Sequence, residues 1–356
     1  MFVDQVLDSG DGVGMEVIVD SAGRIRVDGR LWDPEPEQSL CDQLMYALMR
    51  ACLDAEPERL HLHAGCVSLG DRSLMLAGAA GSGKSTLIAE LVRDGFDYFG
   101  DERVGVDDEL RLTSLAKPIS VVSGSFAQLG SVGSTVSGVG DPSARVWHVP
   151  ASALRPASMP TKPGAPPRLG AIVFVQFRNG AQAHVDDLHP VTAARLLLSD
   201  ALDADRFSDA AVMLVARLCA SVPCRSMVHG GGPDAIAALR REFAPRPFSR
   251  SEVAPIVAGT RPAGVRPAQP SRTSVLGVAS HTVGACVGER SLVRTASGDL
   301  VELDEVLTAW LLLLDGRTPL GTIIDEIAHD QHLDPRALGD AVTAAIAQLV
   351  TLGVAA

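Results

Sequence analysis

The stretch MLAGAAGSGKSTLIAEL, residues 75–91, decides the fold of the first part of the chain. An apolar run leads into the pattern G-x-x-x-x-G-K-S, and a segment with helical character follows it. Glycines at these positions let the backbone curl so that its N–H groups face inward as an anion-binding nest. The helix that follows adds the positive end of its dipole. This stretch therefore predicts a strand, a phosphate-binding loop and a helix.

The residue types in the loop suit a bound polyphosphate chain. Lys84 is expected to contact the β- and γ-phosphates of a nucleotide, and the Ser85 hydroxyl is expected to bind Mg²⁺. Lys84 is one of three lysines among 31 basic residues, and a compact ammonium fits between phosphate oxygens where a planar guanidinium is too wide. The predicted nucleotide-binding residues are Gly78, Ala79, Ala80, Gly81, Ser82, Gly83, Lys84, Ser85 and Thr86.

Candidate catalytic groups stand on both sides of the loop. Asp101 and Glu102 follow a predicted strand, and adjacent carboxylates at a strand end point to different sides. One can therefore hold Mg²⁺ while the other accepts a proton from an attacking hydroxyl, the competing interpretation being a pair of solvated turn acids. His61 and His63 lie two residues apart on a strand and share a face, where packing is as much to be expected as catalysis.

Composition excludes several classes of protein. A formal net charge of −12 argues against nucleic acid as the main partner, because phosphate backbones are met by basic surfaces. The six cysteines form no CxxC pair and no zinc-type cluster, which is typical of reduced thiols in the cytoplasm. The N-terminus lacks the apolar run of a signal peptide, and no stretch approaches the ~20 apolar residues of a membrane span. We therefore expect a cytoplasmic protein without a membrane segment.

The chain is long enough, at 356 residues, for two domains. Strand, glycine loop, helix and strand form the unit of an α/β nucleotide-binding core, which we place within residues 1–244. Residues 122–168 are rich in Gly, Ser and Pro and predict a mobile connection, whose Gly/Ser-rich part, residues 122–145, is a candidate substrate-binding or lid loop. Residues 245–273 are proline-rich and predict a linker. Residues 274–356 predict a small α+β domain with short strands and three helices.

The stretch HAGCVSLGDRSLMLAGAAGSGKSTLIAELVRDGFDYFGDERVGVD resembles the core of HPr kinase/phosphorylase and its relatives. Those proteins place a histidine before a strand, a phosphate-binding loop ending in GKS, a helix ending in glycine, and a strand leading to paired acids. The resemblance implies ATP and Mg²⁺ as cofactors, with Asp101 as general base toward an acceptor hydroxyl and His63 as active-site histidine. It leaves homo-oligomer formation open. The predicted catalytic residues are Asp101, His63 and Lys84, and the predicted Mg²⁺ ligands are Ser85, Glu102 and Asp101.

Two further features bear on this resemblance. The motif AKPIS resembles the basic-proline motif of related kinases and places Lys117 either near the phosphates or in solvent. The bacterial enzyme also carries a catalytic glutamate well after its acids, whereas this chain has no glutamate between Glu109 and Glu242. The phosphorylase half-reaction, and HPr itself as substrate, are therefore not expected.

The last part of the chain, from residue 275, resembles a PqqD-type domain, which has a winged-helix-like fold. The resemblance rests on the segments SLVRT, DLVEL, LDEVLTAWLLLLDGRTPLGTIIDEIAHD and ALGDAVTAAIAQLVTLGV. In that fold a small sheet captures the leader of a ribosomally made peptide by strand addition. The resemblance implies that a leader peptide binds near residues 300–303 and the helix 335–352. A dimerisation or regulatory role for this domain stays an alternative.

Together these features predict an ATP-dependent kinase that phosphorylates a Ser or Thr hydroxyl of a ribosomally made peptide precursor. Lasso-peptide tailoring kinases with HPr-kinase-like cores are of this kind. A flexible tether would raise the effective concentration of the bound precursor near the active site. Two alternatives remain open, a nucleotide-responsive adaptor that binds a peptide or protein without phosphotransfer, and a simple P-loop ATPase. Neither nucleic acid nor a membrane is an expected partner.

Overall fold

A computed structural model describes most of the chain, and its described residues fall into two compact units. The described ranges are 40–115, 117–122, 146–155, 168–207, 209–244, 248–257 and 269–356, with short strand segments at 7–8, 14–15, 17–19, 25–27 and 29–31. Most of the segment predicted as a lid, and residues 258–268 of the predicted linker, lie outside the described residues.

The regular elements are numbered in chain order. The strands are β1 (Leu7–Asp8), β2 (Gly14–Met15), β3 (Val17–Val19), β4 (Ile25–Val27), β5 (Arg30–Leu31), β6 (Leu60–Leu62), β7 (Ala64–Leu69), β8 (Arg72–Ala77), β9 (Asp97–Gly100), β10 (Val104–Val106), β11 (Leu112–Ser114), β12 (Ile119–Val122), β13 (Val146–Val149), β14 (Arg168–Phe177), β15 (His184–Asp187), β16 (Cys224–His229), β17 (Val253–Val257), β18 (Val275–Gly277), β19 (Val283–Val287), β20 (Arg290–Arg294), β21 (Leu300–Leu303) and β22 (Asp315–Pro319). The helices are α1 (Leu40–Ala55), α2 (Lys84–Arg93), α3 (Ala151–Leu154), α4 (Pro190–Ser199), α5 (Ala204–Phe207), α6 (Asp209–Ser221), α7 (Gly232–Phe243), α8 (Glu305–Leu313), α9 (Leu320–Asp330) and α10 (Pro335–Thr351).

The first unit is built on a mixed sheet and comprises Met1–Asp186, Ala201–Asp203 and Arg225–Pro245. The sheet has the strand order β15-β16-β14-β8-β7-β9. Strand β8 pairs with β14 in parallel and with β7 in antiparallel fashion, and β7 pairs with β9 in antiparallel fashion. Strands β8, β9 and β14 therefore run in one direction, and their carboxyl ends meet at one edge. The predicted α/β core is confirmed at this level.

Apolar burial explains the arrangement of this unit. Strand β14 has the sequence RLGAIVFVQF, with a buried run from its fourth to its eighth residue, as expected of a strand covered on both faces. Helix α2 buries Leu87, Ile88 and Leu91 in the same core, which also takes residues of α7. A separate small sheet has the strand order β11-β10-β6, and its strand β10 begins two residues after Glu102.

The second unit is built on an antiparallel sheet and comprises Asp187–Asp200, Ala204–Cys224 and Arg246–Ala356. The strand order is β17-β19-β20-β21. Helices α8, α9 and α10 bury apolar residues together with this sheet, among them Leu307, Ile324 and Ile346. Among the described residues, no helix of either unit combines the length and the apolar character needed to cross a membrane.

The units differ from the domain boundaries predicted from the sequence. Helices α4 and α6 lie within the range predicted for the first domain, yet they group with the C-terminal sheet. Arg195 of α4 pairs there with Glu302 of β21, and Thr192 donates a hydrogen bond to the same carboxylate at 2.8 Å. Because these contacts join segments far apart in the sequence, the order of segments along the chain did not reveal them.

The linker prediction is wrong for the part that the structure describes as β17. This strand pairs with β19 along its whole length. Its proline, Pro255, argued for a linker because proline removes a backbone donor, but an edge strand tolerates that loss on its unpaired side. Strand β17 lies at an edge of the sheet, so Pro255 and strand pairing are compatible.

Candidate phosphate-binding site

The predicted phosphate-binding loop joins β8 to α2 at the carboxyl edge of the parallel strands. Gly78, Gly81 and Gly83 have φ angles of 143°, 78° and 89°, a backbone region that glycine adopts without strain. A Cβ atom on Gly78 would also lie 2.6 Å from the carbonyl oxygen of Val175. The loop conformation therefore depends on the glycines of the motif, as the sequence pattern predicted.

Lys84 and Ser82 are the polar side chains at the centre of this loop. Lys84 is buried, and its ammonium donates hydrogen bonds to the carbonyl of Gly78 and, at 3.3 Å, to that of Ala79. The Ser82 hydroxyl is buried and has no hydrogen-bond partner among the described residues. A Cβ atom on Gly81 would meet open space, so the loop is accessible at that point. An anion is the ligand that such a cradle suits.

Asp101 lies beside the loop, directly after β9. The residue is 1% exposed, and its Oδ1 accepts a hydrogen bond from the backbone N–H of Glu102 at 3.0 Å. Burial raises the pKa of Asp101 above its ordinary value, while the charge of Lys117 and hydrogen bonds from the Ser85 side chain and the Ser120 backbone act to lower it. Its Oδ2 is buried without a partner among the described residues. Asp101 thus lies buried directly after β9, and its catalytic and Mg²⁺-binding roles stay predictions.

Glu102 has a different partner from Asp101. Its Oε2 lies 2.9 Å from Nζ of Lys117, and Glu102 itself adopts a positive φ of 71°. Lys117 is buried and also donates to the Pro118 carbonyl at 3.2 Å and to the Ser120 hydroxyl at 2.9 Å. Of the two positions that the sequence allowed for Lys117, the solvated one is therefore excluded, and the ammonium lies next to the acids.

The two histidines before the loop have separate environments. His63 stands between β6 and β7, and the next residue, Ala64, pairs with Ala77 at the start of the loop. His61 is fully buried, with its Nδ1 2.7 Å from Oδ2 of Asp203 and its Nε2 2.9 Å from Nη2 of Arg103. His61 therefore has the packing role, and the catalytic role of His63 stays a prediction.

His229, at the end of β16, is a residue of the site that sequence reasoning missed. Its Nδ1 accepts a hydrogen bond from the Gly231 backbone N–H at 3.1 Å, so Nε2 carries the proton and lies 3.3 Å from the Ser82 carbonyl oxygen. Burial lowers the pKa of His229, which favours this neutral ring. The ring also meets Phe177 edge-on at a centroid distance of 5.7 Å. The sequence signal is the motif VHGGG before α7.

The donor set at the loop suits Mg²⁺ bound together with phosphates. Ser85, Asp101 and Glu102 carry oxygen ligands of the kind that this ion prefers, and Oδ2 of Asp101 has no hydrogen-bond partner among the described residues. Within the described ranges, no group of three or more His, Cys, Asp or Glu side chains is arranged to hold a metal by itself. Mg²⁺ usually binds with one or two carboxylates and takes its other ligands from phosphate and water. The residues present therefore fit that mode.

Comparison with known proteins found a structural likeness but no match in sequence. No family model matches the sequence, and a search of curated proteins found no match. Among solved structures, the chain is similar to the Hpr(Ser) kinase/phosphatase from Coxiella burnetii, with 11% sequence identity and a TM-score of 0.25. The match covers 51% of this chain and 86% of that chain. A likeness of this size defines no family for the protein.

Proposed function

We propose that the chain is an ATP-dependent, Mg²⁺-requiring kinase that transfers the γ-phosphoryl group to a serine or threonine hydroxyl. One observation carries the proposal. Asp101 is a buried carboxylate beside the loop whose Oδ2 has no partner among the described residues, and hydrogen bonding from Ser85, the residue that follows the loop lysine, acts to lower its pKa. Phosphoryl transfer to a hydroxyl uses an acid beside the phosphates as proton acceptor, and ATPases also place an acid there for Mg²⁺, so the assay below separates the two.

Each group has a distinct task in this proposal. The loop N–H groups and Lys84 bind the triphosphate, while Asp101 accepts the proton of the acceptor hydroxyl through Oδ2. The raised pKa of Asp101, caused mainly by burial, makes the carboxylate a better proton acceptor near neutral pH. Ser85 and Glu102 would hold Mg²⁺, which neutralises negative charge on the phosphates. For this, Glu102 would exchange its contact with Lys117 for the ion.

The test is phosphate transfer from γ-labelled ATP to serine- and threonine-containing peptides encoded beside the gene, followed by mass spectrometry. Asp101→Asn is expected to bind nucleotide but to lose about 10²–10⁴-fold in transfer rate, because the general base is removed. Asp108→Asn is the matched control, since Asp108 is an exposed acid of a nearby turn. Transfer at unchanged rate in Asp101→Asn would overturn the assignment of the base.

The same assay separates the kinase from the two other functions. An ATPase would release labelled phosphate without labelling any peptide. A nucleotide-responsive adaptor would bind a peptide tightly, with nucleotide-dependent affinity, and would transfer nothing to it. Either result would overturn the proposed function.

We propose in addition that the second unit binds the peptide substrate. Two features support this proposal. Strand β21 lies at an edge of the sheet, where strand addition uses unpaired backbone groups. Helix α8 follows it directly and exposes Val306, Leu312 and Leu313 at 58%, 60% and 44%, which is unusual for large apolar side chains on one short helix.

Fluorescence anisotropy with labelled leader peptides tests this second proposal. Leu312→Glu is expected to weaken peptide binding at least about tenfold, because a charge replaces exposed apolar surface at the site. Leu333→Glu is the control, since Leu333 is also exposed, at 51%, but lies outside α8. Equal binding by both variants and the wild type would contradict the assignment of the site.

A further inference from the structure

A second hydroxyl in the first unit has the surroundings of an activated nucleophile. Ser120 lies in β12 directly opposite His148 in β13. Its Oγ is 2.9 Å from Nζ of Lys117 and 3.4 Å from Nδ1 of His148. Lys117 and His148 are buried, whereas Ser120 is half-buried and so keeps some access. No task in the proposed kinase reaction uses Ser120 or His148.

The direction of the hydrogen bonds follows from the chemistry of the three groups. An ammonium can only donate, so the Ser120 oxygen accepts from Lys117. The single hydroxyl proton of Ser120 remains to donate, and Nδ1 of His148, 3.4 Å away, accepts it in the tautomer that carries the ring proton on Nε2. A cation that polarises the oxygen and a base that takes the proton are the two aids that a serine nucleophile needs. Contacts of this kind are often long until the reacting partner is bound.

Asp101 connects this group to the phosphate-binding loop. Hydrogen bonding from the Ser85 side chain and from the Ser120 backbone acts to lower the pKa of this carboxyl, and β12 packs in the same apolar core as α2. One buried side chain thus spans from the first turn of α2 to the strand that carries the second hydroxyl. The γ-phosphate of a nucleotide on the loop, held by Lys84 and Ser85, would therefore lie in the neighbourhood of Ser120.

We infer that Ser120 accepts a phosphoryl group within its own chain, so that the protein carries a phosphoserine at this position. The inference rests on the proposed function, because ATP on the loop supplies the group. Oγ of Ser120 forms a bond to the γ-phosphorus, and the bond to the β,γ-bridging oxygen breaks, with its electron pair leaving on ADP. The hydroxyl proton passes to Nδ1 of His148 and then to solvent. The products are ADP, phosphoserine and a proton.

The product would be held by the group that assists its formation. A phosphate on Ser120 lies within reach of the Lys117 ammonium, and such charge-assisted contacts are strong in buried surroundings. Lys117 also pairs with Glu102, so the new phosphate would compete with the Glu102 carboxylate for the Lys117 ammonium. Modification of Ser120 is therefore expected to release Glu102 from Lys117 and to leave its carboxylate available for Mg²⁺.

The experiment uses the full chain, first treated with a phosphatase and then incubated with Mg²⁺ and γ-labelled ATP without any added acceptor. Intact and fragment mass spectrometry is expected to show one added phosphate, on Ser120. The label is expected to disappear in Ser120→Ala and in Lys84→Ala, and to appear at least about tenfold more slowly in His148→Gln, which lacks the base. Ser120→Thr keeps a hydroxyl in a strand position and is expected to retain labelling, and an unchanged melting temperature of Ser120→Ala shows that its loss of label does not stem from misfolding. Ser199→Ala serves as the unaffected control.

The outcomes separate this inference from the proposed function. If the wild type labels an added peptide but Ser120 stays unmodified, the inference is overturned and the kinase stands. If the label persists in Ser120→Ala, the acceptor is another residue and the inference is likewise overturned. If the chain binds no nucleotide, both fall together.

Discussion

Oδ2 of Asp203 lies 2.7 Å from Nδ1 of His61, and Oδ1 of the same carboxylate accepts a hydrogen bond from the His61 backbone N–H at 2.8 Å. The opposite nitrogen of the His61 ring lies 2.9 Å from Nη2 of Arg103, which also pairs with Glu56. Arg103 directly follows the two acids of the candidate site. This buried network therefore supports the backbone that carries Asp101 and Glu102.

The first prediction concerns Asp203, whose two carboxylate oxygens both bond to His61. Asp203→Asn is expected to lower the free energy of unfolding by about 1–3 kcal/mol, because a buried charge-assisted hydrogen bond to the ring is replaced by a neutral one. Urea unfolding followed by circular dichroism measures the change. Asp205→Asn, at an exposed position two residues later, is expected to leave stability within about 0.5 kcal/mol of the wild type. Equal losses in both variants would contradict the role of the network.

A second prediction concerns the pH dependence that Glu56 contributes. Burial acts to raise the pKa of Glu56, but the hydrogen bond with His61 and the charge of Arg103 outweigh it and lower the pKa from 4.5 to about 2. The stabilising contribution is therefore complete above pH 4.5 and is lost as the pH falls from there toward 2. Glu56→Gln is expected to flatten the pH dependence of the melting temperature in this window. Glu58→Gln, at an exposed neighbouring position, should keep the wild-type slope.

Opposite effects on stability and on transfer are expected for Asp101→Asn. Because burial raises the pKa of Asp101 above its ordinary value, the ionised carboxylate destabilises the fold at pH 7, where it is present. An amide removes that charge and keeps an oxygen for the Glu102 N–H. Without nucleotide, the melting temperature is expected to rise by about 2–4 °C, corresponding to on the order of 1 kcal/mol, while transfer falls. A lower melting temperature in differential scanning fluorimetry would show that the ionised carboxylate of Asp101 does not destabilise the fold.

The two inner glycines of the loop allow a matched comparison. Gly81 and Gly83 both have positive φ, but a Cβ atom on Gly81 would meet nothing within 4 Å, whereas one on Gly83 would lie 2.9 Å from Cε1 of His229. Gly81→Ala is expected to cost about 1 kcal/mol from backbone strain alone, and Gly83→Ala about 2–3 kcal/mol because a clash is added. Chemical unfolding measures stability, and nucleotide affinity measured by calorimetry should fall further in Gly83→Ala. If the two variants behave alike, His229 does not support the loop.

The backbone conformation of the predicted phosphate-binding loop follows from the sequence alone, because it is set locally. The glycines, Lys84 and Ser85 are contiguous, and their backbone conformation follows from residue type within one turn of chain. The same holds for the start of α2 and for the acid pair after β9. A motif of this kind can be recognised without knowing what packs against it.

Contacts between distant segments were decided only by the tertiary structure. Asp203 reaches His61 across 142 positions, and His229 reaches Ser82 across 147, at separations for which no periodicity or motif exists. Helices α4 and α6 joined the C-terminal sheet for the same reason, since an apolar helix face specifies burial but not the surface that buries it. Ser120 and His148 face each other only because β12 and β13 pair in one register, and register is set by the packing of both strands together.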